Sequence, residues 1–209
     1  MVTVRTTAPP PPFRRVLQDG TRVLFRAILP SDEPILRKGL RQLSYASRYG
    51  RFHSGRSRLS SAELRYLTNV DYRDHMAWLA FDVTGRAPEG LAVGRYVRLE
   101  DEPKLAEVAI TVCDGRQGCG LGTLLFDALA RVALRNGIDA FRAYVLAGND
   151  AALRLARRFG AVASSGGDQR LRLDAKLRRA LLGAAESAAP GRSWPAAFPA
   201  GALPTLKQM

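Results

Sequence analysis

Val112-Cys113-Asp114-Gly115-Arg116-Gln117-Gly118-Cys119-Gly120-Leu121-Gly122 holds four glycines within eight residues, and its flanks decide the fold. Leu105 to Val112 before it is rich in β-branched and small apolar residues, a strand pattern. Behind it Leu121, Leu124, Leu125, Ala128, Leu129 and Val132 recur at intervals of 3 and 4, an amphipathic helix ending near Asn136-Gly137. The segment is therefore a strand-to-helix turn. Its glycines let successive backbone N–H groups converge on one point, and the helix behind adds unpaired N–H groups and a positive dipole end. Such a turn can cradle a pyrophosphate; a tight glycine turn with no ligand would read the same. It lacks the Gly-Lys-Ser/Thr ending of a P-loop, and it follows a meander rather than opening a parallel βαβ unit, which argues against a dinucleotide fold.

Moving upstream, three strand-like runs cover His75 to Val83, Leu91 to Leu99 and Leu105 to Val112. Turn residues Gly85, Pro88, Gly90 and Asp101-Glu102-Pro103 separate them, so antiparallel pairing is expected. Earlier still, Asp19-Gly20 joins two strands, Arg15 to Gln18 and Arg22 to Ile28, into a hairpin. Ser31-Asp32-Glu33-Pro34 starts one helix, Ala46 to Phe52 is a second, and the capping box Ser60-Ser61-Ala62-Glu63 starts a third. Downstream, Phe141 to Leu146 reads as a strand, Asn149 caps a helix reaching Phe159-Gly160, and Gln169 to Asp174 alternates like a last strand. The expected fold class is α/β: a single mixed, mostly antiparallel sheet flanked by helices.

The whole chain of 209 residues bounds the function. Its length suits one domain with a full core. Eight of the twelve prolines lie in Pro9 to Pro12 and at Pro190, Pro195, Pro199 and Pro204, which divides the chain into a flexible arm over 1–12, a folded domain over 13–183 and a flexible Ala/Pro-rich tail over 184–209. Two cysteines and two histidines exclude a disulfide scaffold and are too few for a zinc cluster, so no metal is expected. No apolar run spans a bilayer and the N-terminus has no secretory apolar segment, so a cytoplasmic protein without membrane partners is expected. The net charge of +13 comes from 32 basic against 19 acidic residues and attracts anions. The basic residues are scattered with no block of five or six, and a nucleic-acid partner is not expected on charge alone.

The loop resembles that of the GNAT acyltransferases, whose pattern Gln/Arg-x-x-Gly-x-Gly/Ala is filled here by Gln117, Gly120 and Gly122. A second family pattern, Asn-x-x-Ala-x-x-Leu-Tyr-x-Lys-x-Gly-Phe, is matched in part by Asn149, Ala152, Leu155, Ala156, Arg158, Gly160 and Ala161. The resemblance covers about residues 20–175, with both motifs in register. It implies acetyl-CoA as cosubstrate, with its pyrophosphate on the amides of Gln117, Gly118, Cys119, Gly120, Leu121 and Gly122 and its pantetheine along Ile110, Thr111 and Val112. It further assigns Thr123, Asn149, Ala152 and Arg158 to the cofactor site.

One departure stands out. The tyrosine that many members use as general acid falls at Ala156, which has no proton to give. A subgroup resembling bacterial protein lysine acetyltransferases also lacks it. That subgroup carries a glutamate on the strand before the loop and a Leu-Ser-x-x-Ser-Arg-Tyr-x-Arg-Phe segment near the first helices. Here Glu107 and Leu43-Ser44-Tyr45-Ala46-Ser47-Arg48-Tyr49-Gly50-Arg51-Phe52 match. No residues remain for the cyclic-nucleotide-binding domain fused to some members, so regulation by that route is not expected.

The chemistry asks for a base. An ammonium of ordinary pKa is about 3.4 pH units from its neutral form at pH 7, roughly 4.6 kcal/mol. A carboxylate can take the proton as attack proceeds. Alternation places Glu107 with Ala109 and Thr111 on one strand face, and Val108, Ile110 and Val112 on the other. A lone carboxylate enclosed among small residues needs a partner or a substrate. Glu107 is accordingly the expected catalytic residue; pairing with a core arginine is the bland alternative.

Other candidates carry less. His53 and His75 suit structural roles, and neither Cys113 nor Cys119 has a neighbouring histidine to make it a nucleophile. Asp71-Tyr72-Arg73-Asp74 reads as a capped turn. Arg48, Tyr49, Arg51 and Phe52 either wall the acceptor site or pack inward. Three functions stay open: acetylation of a protein lysine, acetylation of a small amine, and a non-catalytic role as an acyl-CoA-binding sensor or nucleic-acid-associated module. The basic chain suits a polycationic amine poorly.

Overall fold

The computed structural model describes residues 8–52, 57–146, 148–163 and 168–172. Residues 8–12 lead in without regular structure, whereas 1–7 of the expected arm, the expected tail over 184–209, the end of the expected domain over 173–183 and His53 lie outside the described residues.

The hairpin of β1 (Phe13–Val16) and β2 (Arg22–Ala27) forms as its turn requires. Gly20 takes φ +83, a left-handed conformation that costs glycine little, and the Asp19 carboxylate accepts the Thr21 N–H at 2.9 Å. Three helices follow: α1 (Glu33–Gln42), α2 (Tyr45–Phe52) and α3 (Ser61–Thr68). A short 3-10 turn at Pro30–Asp32 precedes α1, and Asp32 in it takes both Arg26 guanidinium nitrogens at 2.6 and 2.7 Å. The capping box of α3 is made in both directions between Ser60 and Glu63.

The meander is β3 (His75–Asp82), β4 (Glu89–Arg98) and β5 (Leu105–Val112), all antiparallel. Then come α4 (Leu121–Arg135), β6 (Ala140–Tyr144), α5 (Asp150–Arg158), β7 (Val162–Ala163) and β8 (Asp168–Arg172). The eight strands form one sheet in the order β1-β2-β3-β4-β5-β6-β8-β7, antiparallel throughout except for β5 against β6. The two-residue β7 has no signature in the sequence; it forms because β8 offers it an edge.

Helix α4 covers one face of the sheet. Gly94 in β4 lets it approach, since a Cβ there would stand 3.1 Å from Leu129 and 3.3 Å from Leu125. Phe126 of α4 packs edge-on against Phe141 at 5.6 Å and stacks on Phe159 at 4.1 Å. On the opposite face Arg95 reaches the Leu67 carbonyl at the end of α3, and a Cβ on Gly90 would lie 3.6 Å from Ile35 of α1. No helix among the described residues is long and apolar enough to cross a membrane.

One feature of register positions the site. Strand β5 pairs with β6 only at Leu105–Ala140, Ala106–Phe141 and Glu107–Arg142. Both strands continue, β5 to Val112 and β6 to Tyr144, but apart. The sheet therefore opens into a gap just beyond Glu107.

Candidate active site

The glycine-rich loop closes the wide end of that gap. After Val112 a 3-10 turn covers Asp114–Arg116, and α4 begins at Leu121. Gly118 and Gly120 both sit in the left-handed region, at φ +80 and +87, so glycine is needed here for its backbone. The first bond of α4 runs from Leu124 N–H to Gly120 O at 3.1 Å. The amides of Gly118 to Thr123 precede it and have no partner among the described residues. Six N–H groups at a helix start form an anion cradle.

Two side chains missed as functional candidates hold the loop. Asp114 accepts Ser44 N–H at 2.6 Å, Ser44 Oγ at 3.2 Å and the Ser47 hydroxyl. Burial pushes its carboxyl up, but the serine bonds outweigh that and hold it below the usual carboxylate range. Arg116 reaches Asp82 at 2.8 Å, Asp19 at 3.3 Å and Thr21 at 3.2 Å, tying the loop to the hairpin and to β3. The only sequence signal was indirect: Ser44 and Ser47 belong to the segment that resembles the lysine acetyltransferases. Gln117 turns its side-chain amide toward Ser47, Val112 O and Asp114 at 3.3 to 3.4 Å, so it braces the loop.

The remaining expected cofactor residues lie on β5, on α4 and the turn before it, and on α5 with its cap. Ile110, Thr111 and Val112 line β5 beyond the point where β6 leaves it, each half-buried. Gly122 faces Leu155 of α5, and a Cβ on it would lie 3.4 Å away. Asn149 caps α5 by accepting Ala152 N–H at 3.1 Å, and its amide nitrogen would stand 3.4 Å from a Cβ at Gly50 of α2. Thr123 is half-buried in the first turn of α4. Cys119 packs on the core, with its Sγ 3.8 Å from Gln117 O. Arg158 is exposed at the end of α5, and Ala156 is half-buried.

Glu107 sits where β5 and β6 part. Its side chain is exposed and makes no hydrogen bond or ion pair among the described residues. The sequence suggested an enclosed carboxylate; the loss of β6 pairing beyond this residue leaves it open instead. Arg51, in the last turn of α2, feels its charge: burial lowers the guanidinium pKa and the Glu107 carboxylate partly restores it. Burial first, then the Asp114 and Glu89 carboxylates, push the Cys113 thiol up, which opposes a nucleophilic role. His75 is held down to about 4 by burial and by Arg95, so it stays neutral and structural. The Asp71 turn is the capped turn expected, its carboxylate taking the N–H groups of Arg73, Asp74 and His75 at 2.8 to 2.9 Å.

Comparison with known proteins agrees with this geometry. The Acetyltransferase (GNAT) family matches residues 44–161. Acetyltransferase Pat of Mycolicibacterium smegmatis is 36% identical over 146 residues, covering 70% of this chain and 43% of that protein. An acetyltransferase of Pseudomonas aeruginosa is 34% identical over 121 residues, covering 58% of this chain and 64% of that one. The chain thus spans less than two thirds of either relative's length. The solved GNAT domain of S. lividans PAT superposes with a TM-score of 0.69 at 30% identity, covering 77% of this chain and 94% of that domain. The chain belongs to the GNAT family of acetyltransferases, and its likeness is to the Pat branch.

Proposed function

We propose that the protein transfers an acetyl group from acetyl-CoA to a primary amine, a protein lysine being the acceptor that the resemblance of the Leu43 to Phe52 segment and of Glu107 favours, by direct attack with Glu107 as general base. The fit to acetyl-CoA is geometric. A row of amides from Gly118 to Thr123, unpartnered among the described residues, suits the pyrophosphate, and the open edge of β5 from Val108 onward suits the extended pantetheine amides. Asn149 and Ala152 are joined at the start of α5, the helix that Gly122 of the loop faces, whereas Arg158 would reach the nucleotide only from its exposed end of α5.

The observation that carries the catalytic reading is the exposed Glu107 carboxylate, without a hydrogen bond or ion pair among the described residues, at the narrow end of the gap. The acceptor amine attacks the thioester carbonyl, Glu107 takes the amine proton, and the tetrahedral adduct collapses with the CoA thiolate leaving. A thiol of ordinary pKa near 8.5 leaves without a strong acid, so an alanine at position 156 is compatible with turnover. Two free cysteines and a cosubstrate made in the cytoplasm favour that compartment.

Glu107→Gln preserves shape and removes basicity. We expect kcat with a lysine acceptor to fall by about 10²–10⁴-fold, while calorimetry shows unchanged acetyl-CoA affinity. Full activity in that variant would return Glu107 to a structural role. Acetyl-CoA binding with no transfer to any amine by the wild type would favour the sensor reading.

A further inference from the structure

The face of the sheet around Glu107 carries more positive charge than its structure needs. Register places Arg142 directly beside Glu107, and Arg95 opposite Ala109 on the same face. Arg51 approaches from α2, close enough to feel Glu107 and to act on Arg95. Three arginines thus share this face with one carboxylate, and Arg51 is the one that feels its charge.

Three other half-buried arginines have carboxylate partners, whereas Arg48 of α2 has only the Leu43 carbonyl among the described residues. Arg26 pairs with Asp32 at 2.6 Å, Arg98 with Asp74 at 2.6 Å and Arg116 with Asp82 at 2.8 Å. Arg51, Arg95 and Arg142 have no ion pair within 4 Å among the described residues. Arg95 is only 6% exposed. Its Nη groups reach the Leu67 carbonyl at 3.2 Å, and Nη1 lies 3.0 Å from Nε2 of the neutral His75 ring. Burial first, then the Arg51 charge, lower its pKa to about 9. The Nε of Arg142 is buried with no hydrogen-bond partner among the described residues, and its guanidinium lies over Tyr144 at 5.5 Å. A buried guanidinium such as that of Arg95 is costly without an ion-pair partner, and the planar fork of the half-buried Arg51 and Arg142 matches a carboxylate.

An ammonium entering alone would meet this net positive face and be repelled. An amine that brings its own carboxylate would not. We propose that Arg51 and Arg142 select the acceptor, binding an acidic side chain adjacent to the reactive lysine of a peptide, with Arg95 fixed beneath them as a buried source of positive field. This rests on the reading of Glu107 as the base at the acceptor end of the gap. The overall charge of +13 steers acidic peptides to the same protein.

The test uses the full chain, acetyl-CoA and three blocked tetrapeptides in which the residue before lysine is aspartate, asparagine or arginine. We expect kcat/KM for the aspartate peptide to exceed that for the asparagine peptide at least tenfold, with the arginine peptide below both. Raising salt should narrow the spread. Arg51→Gln and, separately, Arg142→Gln should each shrink the aspartate-to-asparagine ratio below threefold; CoA calorimetry verifies that each variant is folded. Equal rates on all three peptides would overturn the selection, as would a ratio that survives in both variants. Failure to acetylate any of the three would instead overturn the lysine-acceptor reading.

Discussion

His75 shows how a single buried group sets a pH response. Its ring is neutral in the folded protein, with a pKa near 4 against 6.5 for an ordinary histidine, because burial and Arg95 both oppose the charged form. Between those two values the unfolded chain takes up a proton that the folded chain does not. Stability should therefore fall as pH drops from about 6.5 to 4, by up to about 3 kcal/mol, and this contribution should be flat above 7. Urea melts at pH 7 and 5 would measure it, and in His75→Gln that part of the difference should vanish. Gly120 sets a different constraint. A Cβ there meets nothing within 4 Å, but φ is +87. Gly120→Val should therefore cost about 1–2 kcal/mol of backbone strain, relieved by turning amides away from the cradle. We expect at least tenfold weaker acetyl-CoA binding by calorimetry; wild-type affinity would remove the pyrophosphate from this loop.

Among the elements, the loop is held from both sides, by Asp114 on the serines before and within α2 and by Arg116 on the hairpin and β3. Arg116→Ala should release one side only. KM for acetyl-CoA should rise about three- to tenfold with kcat little changed, as loss of uniform binding implies; a fall in kcat alone would contradict a bracing role. These anchors mark the limit of what the sequence disclosed. The strands and helices were legible because each follows from a period or a cap: the 3-and-4 spacing of Leu121 to Val132, the box at Ser60 and Glu63, the turn at Asp19-Gly20. The glycine loop was legible because a left-handed backbone leaves a residue-type mark. Asp114 and Arg116 were not, since their partners lie 34 to 97 positions away and bonds between distant polar residues have no period. The exposure of Glu107 was hidden for a related reason: where a parallel pair stops is set by the packing of α4 and α5 around it.

At the scale of the whole molecule, the ligand and the fold are coupled by mass action. A cosubstrate that binds only the folded state adds about 2.7 kcal/mol at a hundredfold excess over Kd. For a chain of this size that is about 5–10 °C in Tm. Thermal melts with and without CoA should show it, and Gly120→Val should lose most of the shift. The early end of β5–β6 pairing explains why the response belongs to the entire protein. What hydrogen bonding describes as one sheet of eight strands is, in mechanical terms, two plates joined at a narrow seam. One plate carries β1 to β5 and the other β6 to β8, and three residue pairs stitch them at one end. A wedge-shaped opening of this kind behaves like a hinge whose free ends only a long, polar molecule lying along both lips can clamp. On the proposed function, acetyl-CoA lying in this opening is also a structural strut between the two plates.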